Sequence, residues 1–155
     1  MKTKTLFVAV ALVLATASAG LAVGVEIGVG TEPSISFAAT WDISPSFTMV
    51  TSFGLAFGQG VQTGSITLQT ASYTIGIEAR YNIPFATSAV RSYLGLGAFM
   101  HVDNGDISFL ASSSAGVHIR MLPNVYLFGE GALFMPVLDV SGWYWRLKLG
   151  VGFLF

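Results

Sequence analysis

No cysteine occurs in the chain, which excludes a disulfide framework, thiolate catalysis and a thiolate metal site. Histidine is almost as scarce. His101 and His118 are too few and too far apart for a zinc-binding spacing. Charge is thin as well: only 10% of the 155 residues are charged, against about one-quarter in an ordinary soluble domain. A surface so short of charge implies that something other than water covers part of it. Outside the first residues there is also no uninterrupted apolar run long enough for a membrane helix. The most apolar windows, 83–102 and 121–140, contain Arg91 in the first and Pro123, Glu130 and Pro136 in the second. Neither offers the roughly 20 mainly apolar residues that a spanning helix needs.

What is present begins with a targeting segment. Lys2 and Lys4 form a basic start, residues 5–15 are apolar apart from Thr5, and Ala17 and Ala19 give a small-x-small cleavage pattern. We expect a signal peptide over 1–19, cleaved after Ala19, and a single domain over 20–155. With no cysteine at the junction, lipid attachment there is excluded.

The remainder divides into segments with a period of two, the spacing of a strand whose two faces differ. Val23, Val25, Ile27 and Val29 share a face in 22–30, and Ile35, Phe37, Ala39 and Trp41 share one in 34–42. Residues 46–57 align Phe47, Met49, Phe53, Leu55 and Phe57; residues 69–81 align Ala71, Tyr73, Ile75, Ile77, Ala79 and Tyr81. In 89–102 the apolar face carries Val90, Leu94, Leu96, Ala98, Met100 and Val102. In 107–121 it carries Ile107, Phe109, Ala111, Ala115, Val117, Ile119 and Met121. Segment 125–135 is weakest, because Val125, Leu127, Leu133 and Met135 share their face with Gly129 and Gly131 while Tyr126, Phe128 and Phe134 lie opposite. A bulge there would switch its phase. The last, 143–155, places Trp143, Trp145, Leu147, Leu149, Val151, Phe153 and Phe155 together.

Connectors rich in Gly, Pro, Asn, Asp and Ser separate these segments, the longest being 58–68. Eight strands of about 9–13 residues joined as successive hairpins match the dimensions of a small transmembrane barrel. An open sheet would leave unsatisfied backbone groups in lipid. The expected fold is therefore all-β: a closed eight-stranded antiparallel up-and-down transmembrane β-barrel.

Charge placement gives the faces a direction. After the leader the basic residues are Arg80, Arg91, Arg120, Arg146 and Lys148, and each falls opposite the apolar face of its strand. So do the strand acids Glu26, Glu78 and Glu130. Apolar side chains then point outward and charges inward. A soluble barrel with an apolar interior has the same parity, but too few charges remain to solvate its outer wall. Eight strands enclose a lumen that side chains just fill. Buried charges are costly unless paired, so we expect Glu26, Glu78, Arg80, Arg91, Arg120, Glu130, Arg146 and Lys148 to form an interior network. Glu26 or Glu130 with Arg146 or Lys148 are the leading pairs, and Arg80, Arg91 and Arg120 are placed near one mouth, where an anion-attracting vestibule is the alternative to pairing.

The end of the chain, Lys148-x-Gly150-x-x-Phe153-x-Phe155, resembles the terminal-strand signal read by the bacterial barrel assembly machinery. The chain from residue 20 onward is similar in pattern to small eight-stranded outer-membrane barrels of the OmpA/OmpX type. The resemblance implies an outer-membrane location, both termini in the periplasm, and contact with outer-membrane lipid and lipopolysaccharide. Trp41, Phe47 and Tyr81, with Phe153 and Phe155, then form one aromatic girdle, and Phe57, Trp143 and Trp145 the other. It also implies a monomer whose role is structural or one of surface recognition, with no cofactor. A narrow channel for small solutes or ions is the second reading. A lipid-modifying enzyme is the third, with His101 near Asp103 and Asp106 as its sole candidate cluster. Five basic against eight acidic residues after the leader, a net −3, argue against nucleic acid.

Overall fold

A computed structural model describes residues 24–31, 34–62, 65–83, 89–103, 105–138 and 142–155; within 58–62 and 65–71 it describes the backbone alone. The signal peptide expected over 1–19 and the loop acids Glu32 and Asp139 lie outside the described residues.

The strands are β1 (Gly24–Gly30), β2 (Ser34–Ser44), β3 (Phe47–Gln62), β4 (Ser65–Ile83), β5 (Val90–Asp103), β6 (Asp106–Leu122), β7 (Val125–Pro136) and β8 (Tyr144–Leu154). Each pairs antiparallel with its sequence neighbours, and β8 returns to β1, with Gly28 opposite Gly150, to close the barrel. Closure leaves no edge along the wall, so every strand there has partners on both sides. The β5–β6 hairpin turns through Gly105, whose φ of 99° suits glycine and few other residues.

The alternation decides which side chains go where. Ile27, Leu96 and Leu149 point outward at 42%, 70% and 66% exposure, whereas Glu26, Arg80 and Tyr93 point inward at 1%. Ala39 and Phe53 have outward parity but are covered. β7 keeps one phase throughout, pairing without a shift against β8. Tyr126, Phe128, Glu130, Ala132 and Phe134 therefore all fill the lumen. The bulge sits on β6 instead, between Arg120 and Leu122. Toward the end opposite the termini, Leu110, Ala132 and Phe134 form an apolar plug, with Phe99 and Tyr144 packed against it.

Two expectations need correction. Strand lengths run from 7 residues in β1 to 19 in β4, so the 9–13 range fails at both extremes. The expected loop 58–68 is mostly strand: Phe57 pairs with Thr70, and the ladder continues to Gln62 opposite Ser65. Pairing of β2 with β3 ends at Ala56 and pairing of β4 with β5 ends at Ser72. The β3–β4 hairpin thus projects beyond the barrel as a two-stranded arm. Glycine, glutamine, serine and threonine read as turn chemistry, but Val61, Ile66 and Leu68 are compatible with a ladder once the strands below have set its register.

Candidate functional site

The lumen is organised by one residue. Glu78 and Arg80 are two apart on β4 and so share its inward face, where Arg80 Nε donates to Glu78 Oε1 at 2.6 Å. The rest of the guanidinium reaches two other strands. Nη1 donates to Glu26 Oε1 and Oε2 on β1 at 2.9 and 3.1 Å, and Nη2 donates to Glu130 Oε2 on β7 at 2.7 Å. Around this hub Tyr93 donates to Glu130 Oε2 at 2.6 Å, and Tyr126 donates to Glu26 Oε1 at 3.0 Å. Lys148 Nζ lies 2.9 Å from Glu130 Oε1, and His118 Nε2 lies 3.3 Å from Glu26 Oε1. The guanidinium carbon also stands 4.3 Å from the centre of the Tyr93 ring.

This density of partners is a physical necessity. Each ion removed from water costs several kcal/mol, and three carboxylates with one arginine are buried together here. Arginine suits the centre because its planar fork satisfies several acceptors at once, whereas lysine is a point charge.

Rings hold the layer in place, and glycines make room for the rings. Four inward aromatics each lie over the glycine directly opposite on the next strand: Phe99 over Gly76, Tyr93 over Gly116, Phe128 over Gly150 and Tyr126 over Gly152. A Cβ at any of the four glycines would overlap the ring. His118 completes the stack, its ring centroid 4.9 Å from Tyr93 and 4.6 Å from Tyr126. Sequence alone named the charges but missed this pairing of glycine with ring. The available signal was an inward glycine on one strand matched by an inward aromatic on its neighbour, readable only once register is known.

The structure gathers some of the eight expected network residues and separates others. Glu26, Glu78, Arg80, Glu130 and Lys148 are joined. Arg80 is a correction: it is enclosed at the hub, not set at a mouth, because its side chain can span the lumen to acids on β1 and β7. Glu26 accordingly pairs with Arg80, and of the leading pairs expected only Glu130–Lys148 is among the described contacts. Arg91 and Arg120 are exposed near the terminal end, lining a cavity there. Arg146 lies toward the other end with its guanidinium 5.2 Å from the Phe134 ring centre.

Elsewhere, His101 Nδ1 lies 3.1 Å from the Thr74 hydroxyl inside the wall. Asp103 and Asp106 face each other across the hairpin. Phe47 and Tyr81 pack at 5.3 Å, Trp41 and Phe57 are half-buried, and Trp143 and Trp145 are exposed. Phe153 and Phe155 lie exposed at the closing strand's end, while Lys148 and Gly150 face the lumen under Glu130 and Phe128. Among the described residues, no group of histidine, aspartate and glutamate is arranged to hold a metal ion.

Two cavities flank the layer, one of about 60 Å³ toward the chain termini and one of about 40 Å³ on the other side. Glu26, Arg80, Tyr93, Phe128 and Glu130 are packed between and around them, all almost fully buried.

No protein-family model matches the chain, and no curated protein sequence matches it. Solved structures do. The N-terminal β-barrel domain of Pseudomonas aeruginosa OprF superposes with a TM-score of 0.64 at 14% identity, covering 86% of this chain and 98% of that one. Neisserial surface protein A gives 0.57 at 18% identity over 85% and 94% of the two chains. A major outer membrane protein from Thermus thermophilus gives 0.57 at 12% identity over 85% and 99%. The chain has the fold of the small eight-stranded outer-membrane barrels.

Proposed function

We propose that the protein is an integral outer-membrane β-barrel whose role is structural or one of surface recognition, with both termini in the periplasm. The observation that carries this reading is the inversion of polarity across the wall: Leu96, Leu149 and Trp145 outward and well exposed, Glu26, Arg80 and Glu130 inward and buried. Water would penalise that outer face, whereas a bilayer favours it. Outer-membrane lipid and lipopolysaccharide are the partners of that face. The assembly machinery is the partner of the Lys148, Gly150, Phe153 and Phe155 signal during biogenesis, and the protein works as a monomer. The two aromatic groups at the strand ends fit the two membrane interfaces. The charged layer spans the lumen with paired side chains, which favours a filled strut over a conduit, and the β3–β4 arm is the surface element best placed to meet a partner.

The test is gel mobility of the outer-membrane fraction with and without boiling in detergent. A band that shifts only on boiling supports a closed barrel in the outer membrane. Recovery as a soluble periplasmic protein, with no shift, would replace this reading with a soluble barrel. Planar-bilayer recording separates strut from channel, since stable unitary steps altered by Glu130→Ala would favour the channel.

A further inference from the structure

The cavity beside the chain termini has a charge pattern that the interior network leaves unexplained. Arg91 on β5 and Arg120 on β6 both have inward parity and line it, with His118 between them in register: Arg91 is the cross-strand partner of His118, and Arg120 is two residues further along the same face. Neither arginine has an ion-pair partner among the described residues. The sequence between β4 and β5, Pro-Phe-Ala-Thr-Ser at 84–88, holds no acid. Asp42 is the only carboxylate among the described lining residues, and its Oδ1 already accepts the Thr48 hydroxyl at 2.6 Å. Asn82 in turn donates to that hydroxyl at 2.9 Å, so the acid is held against the wall by its own network.

Two arginines against one engaged aspartate give the cup a surplus of positive charge. Like charges on adjacent strands repel, and every other cation inside this barrel is matched to carboxylates or stacked on a ring. Among the described residues nothing closes the cup at the end of the barrel, and Arg91 and Arg120 are both exposed there, so their guanidinium forks can meet a ligand. Guanidinium forks match oxyanions in bidentate geometry, and the low-dielectric wall strengthens their pull compared with an open surface.

We propose that this mouth is a binding site for a phosphate-class oxyanion, gripped by Arg91 and Arg120, with Asp42 setting an upper limit on affinity. The oxyanion comes either from a soluble phosphate or from the headgroup of a lipid in the adjoining leaflet. The chemistry is shared, and the experiment separates the sources.

The full-length folded protein is purified in an uncharged, phosphate-free detergent and titrated calorimetrically, first with inorganic phosphate and then with a short-chain phosphatidylglycerol. Arg91→Gln with Arg120→Gln should weaken saturable binding by about tenfold or more, the loss of at least one charge-assisted hydrogen bond. Asp42→Asn, which keeps the oxygen that accepts from Thr48, should tighten it. Retention of the boiling-dependent mobility shift shows that each variant is folded. Saturation by inorganic phosphate with this response assigns a soluble ligand, and saturation by the lipid alone with the same response assigns a headgroup. No saturation by either, or saturation unchanged in the double variant, overturns the proposal.

Discussion

Arg80 and Glu130 stand 50 residues apart in the chain and 2.7 Å apart in the lumen, joining β4 to β7 across strands that never pair. The same guanidinium holds Glu26 on β1 and Glu78 beside it. Backbone ladders fix each strand only to its neighbours, so this one side chain ties distant parts of the wall together. Arg80→Met should be severely destabilising, because three buried carboxylates lose their common counter-charge. Removing one partner of a buried pair costs about 3–5 kcal/mol. Urea unfolding of the barrel in liposomes checks this, and a loss below about 1 kcal/mol would mean that the hub is incidental. Arg80→Lys should recover only part of the loss, since an ammonium cannot span the three acids as a fork does.

The tyrosines should behave differently. Tyr93→Phe removes one hydroxyl that donates to Glu130 at 2.6 Å and leaves the ring over Gly116 intact. A hydrogen bond to a charged group is worth about 1.5–3 kcal/mol. The same change at Tyr126, whose bond to Glu26 is longer at 3.0 Å, should cost less. Equal losses, or no loss at Tyr93, would contradict the ranking of the two bonds.

Gly76 tests the ring-over-glycine arrangement, because the nearest atoms to an added Cβ all belong to the Phe99 ring. Gly76→Ala should cost about 1–3 kcal/mol, as overpacking does. In a Phe99→Leu background the penalty should shrink, giving a coupling within the 0.5–3 kcal/mol seen for residues in contact. Additive effects in the unfolding curves would show that the ring and the glycine do not constrain each other.

How much of this could be read in the chain follows from what depends on neighbours and what does not. The direction in which Leu149, Glu26 or Arg146 points depends only on parity, and period-two alternation states it outright. Which acid meets Arg80 depends on the stagger between strands on opposite walls, a property of the closed barrel that no local segment encodes. The sequence therefore marks Arg80 as inward but misplaces it at a mouth. Residues 58–68 fail for another reason: glycine, threonine and serine suit both loop and exposed ladder, and composition cannot separate the two. The phase of β7 is ambiguous because Gly129 and Gly131 remove the apolar signal where Phe128 and Phe134 supply a competing one.

The outer wall reports on the solvent that surrounds it. Leu149 is 66% exposed at the middle of β8 and pairs with Gly129 inside β7, so it lies within the outer band. A charge near the midplane of a membrane barrel costs about 2–4 kcal/mol, and the penalty falls to about 0–1 kcal/mol near the interfaces. Leu149→Arg should therefore destabilise the protein, refolded in the presence of liposomes, by about 2–4 kcal/mol. Ile43→Arg, at an exposed position beside the β2–β3 turn, should cost about 1 kcal/mol or less. If water bathed this face, both changes would fall within about 0.5 kcal/mol of neutral, as exposed substitutions usually do. A depth-dependent difference between the two positions thus requires a bilayer around the barrel, and matching small effects would remove the basis for placing it in a membrane.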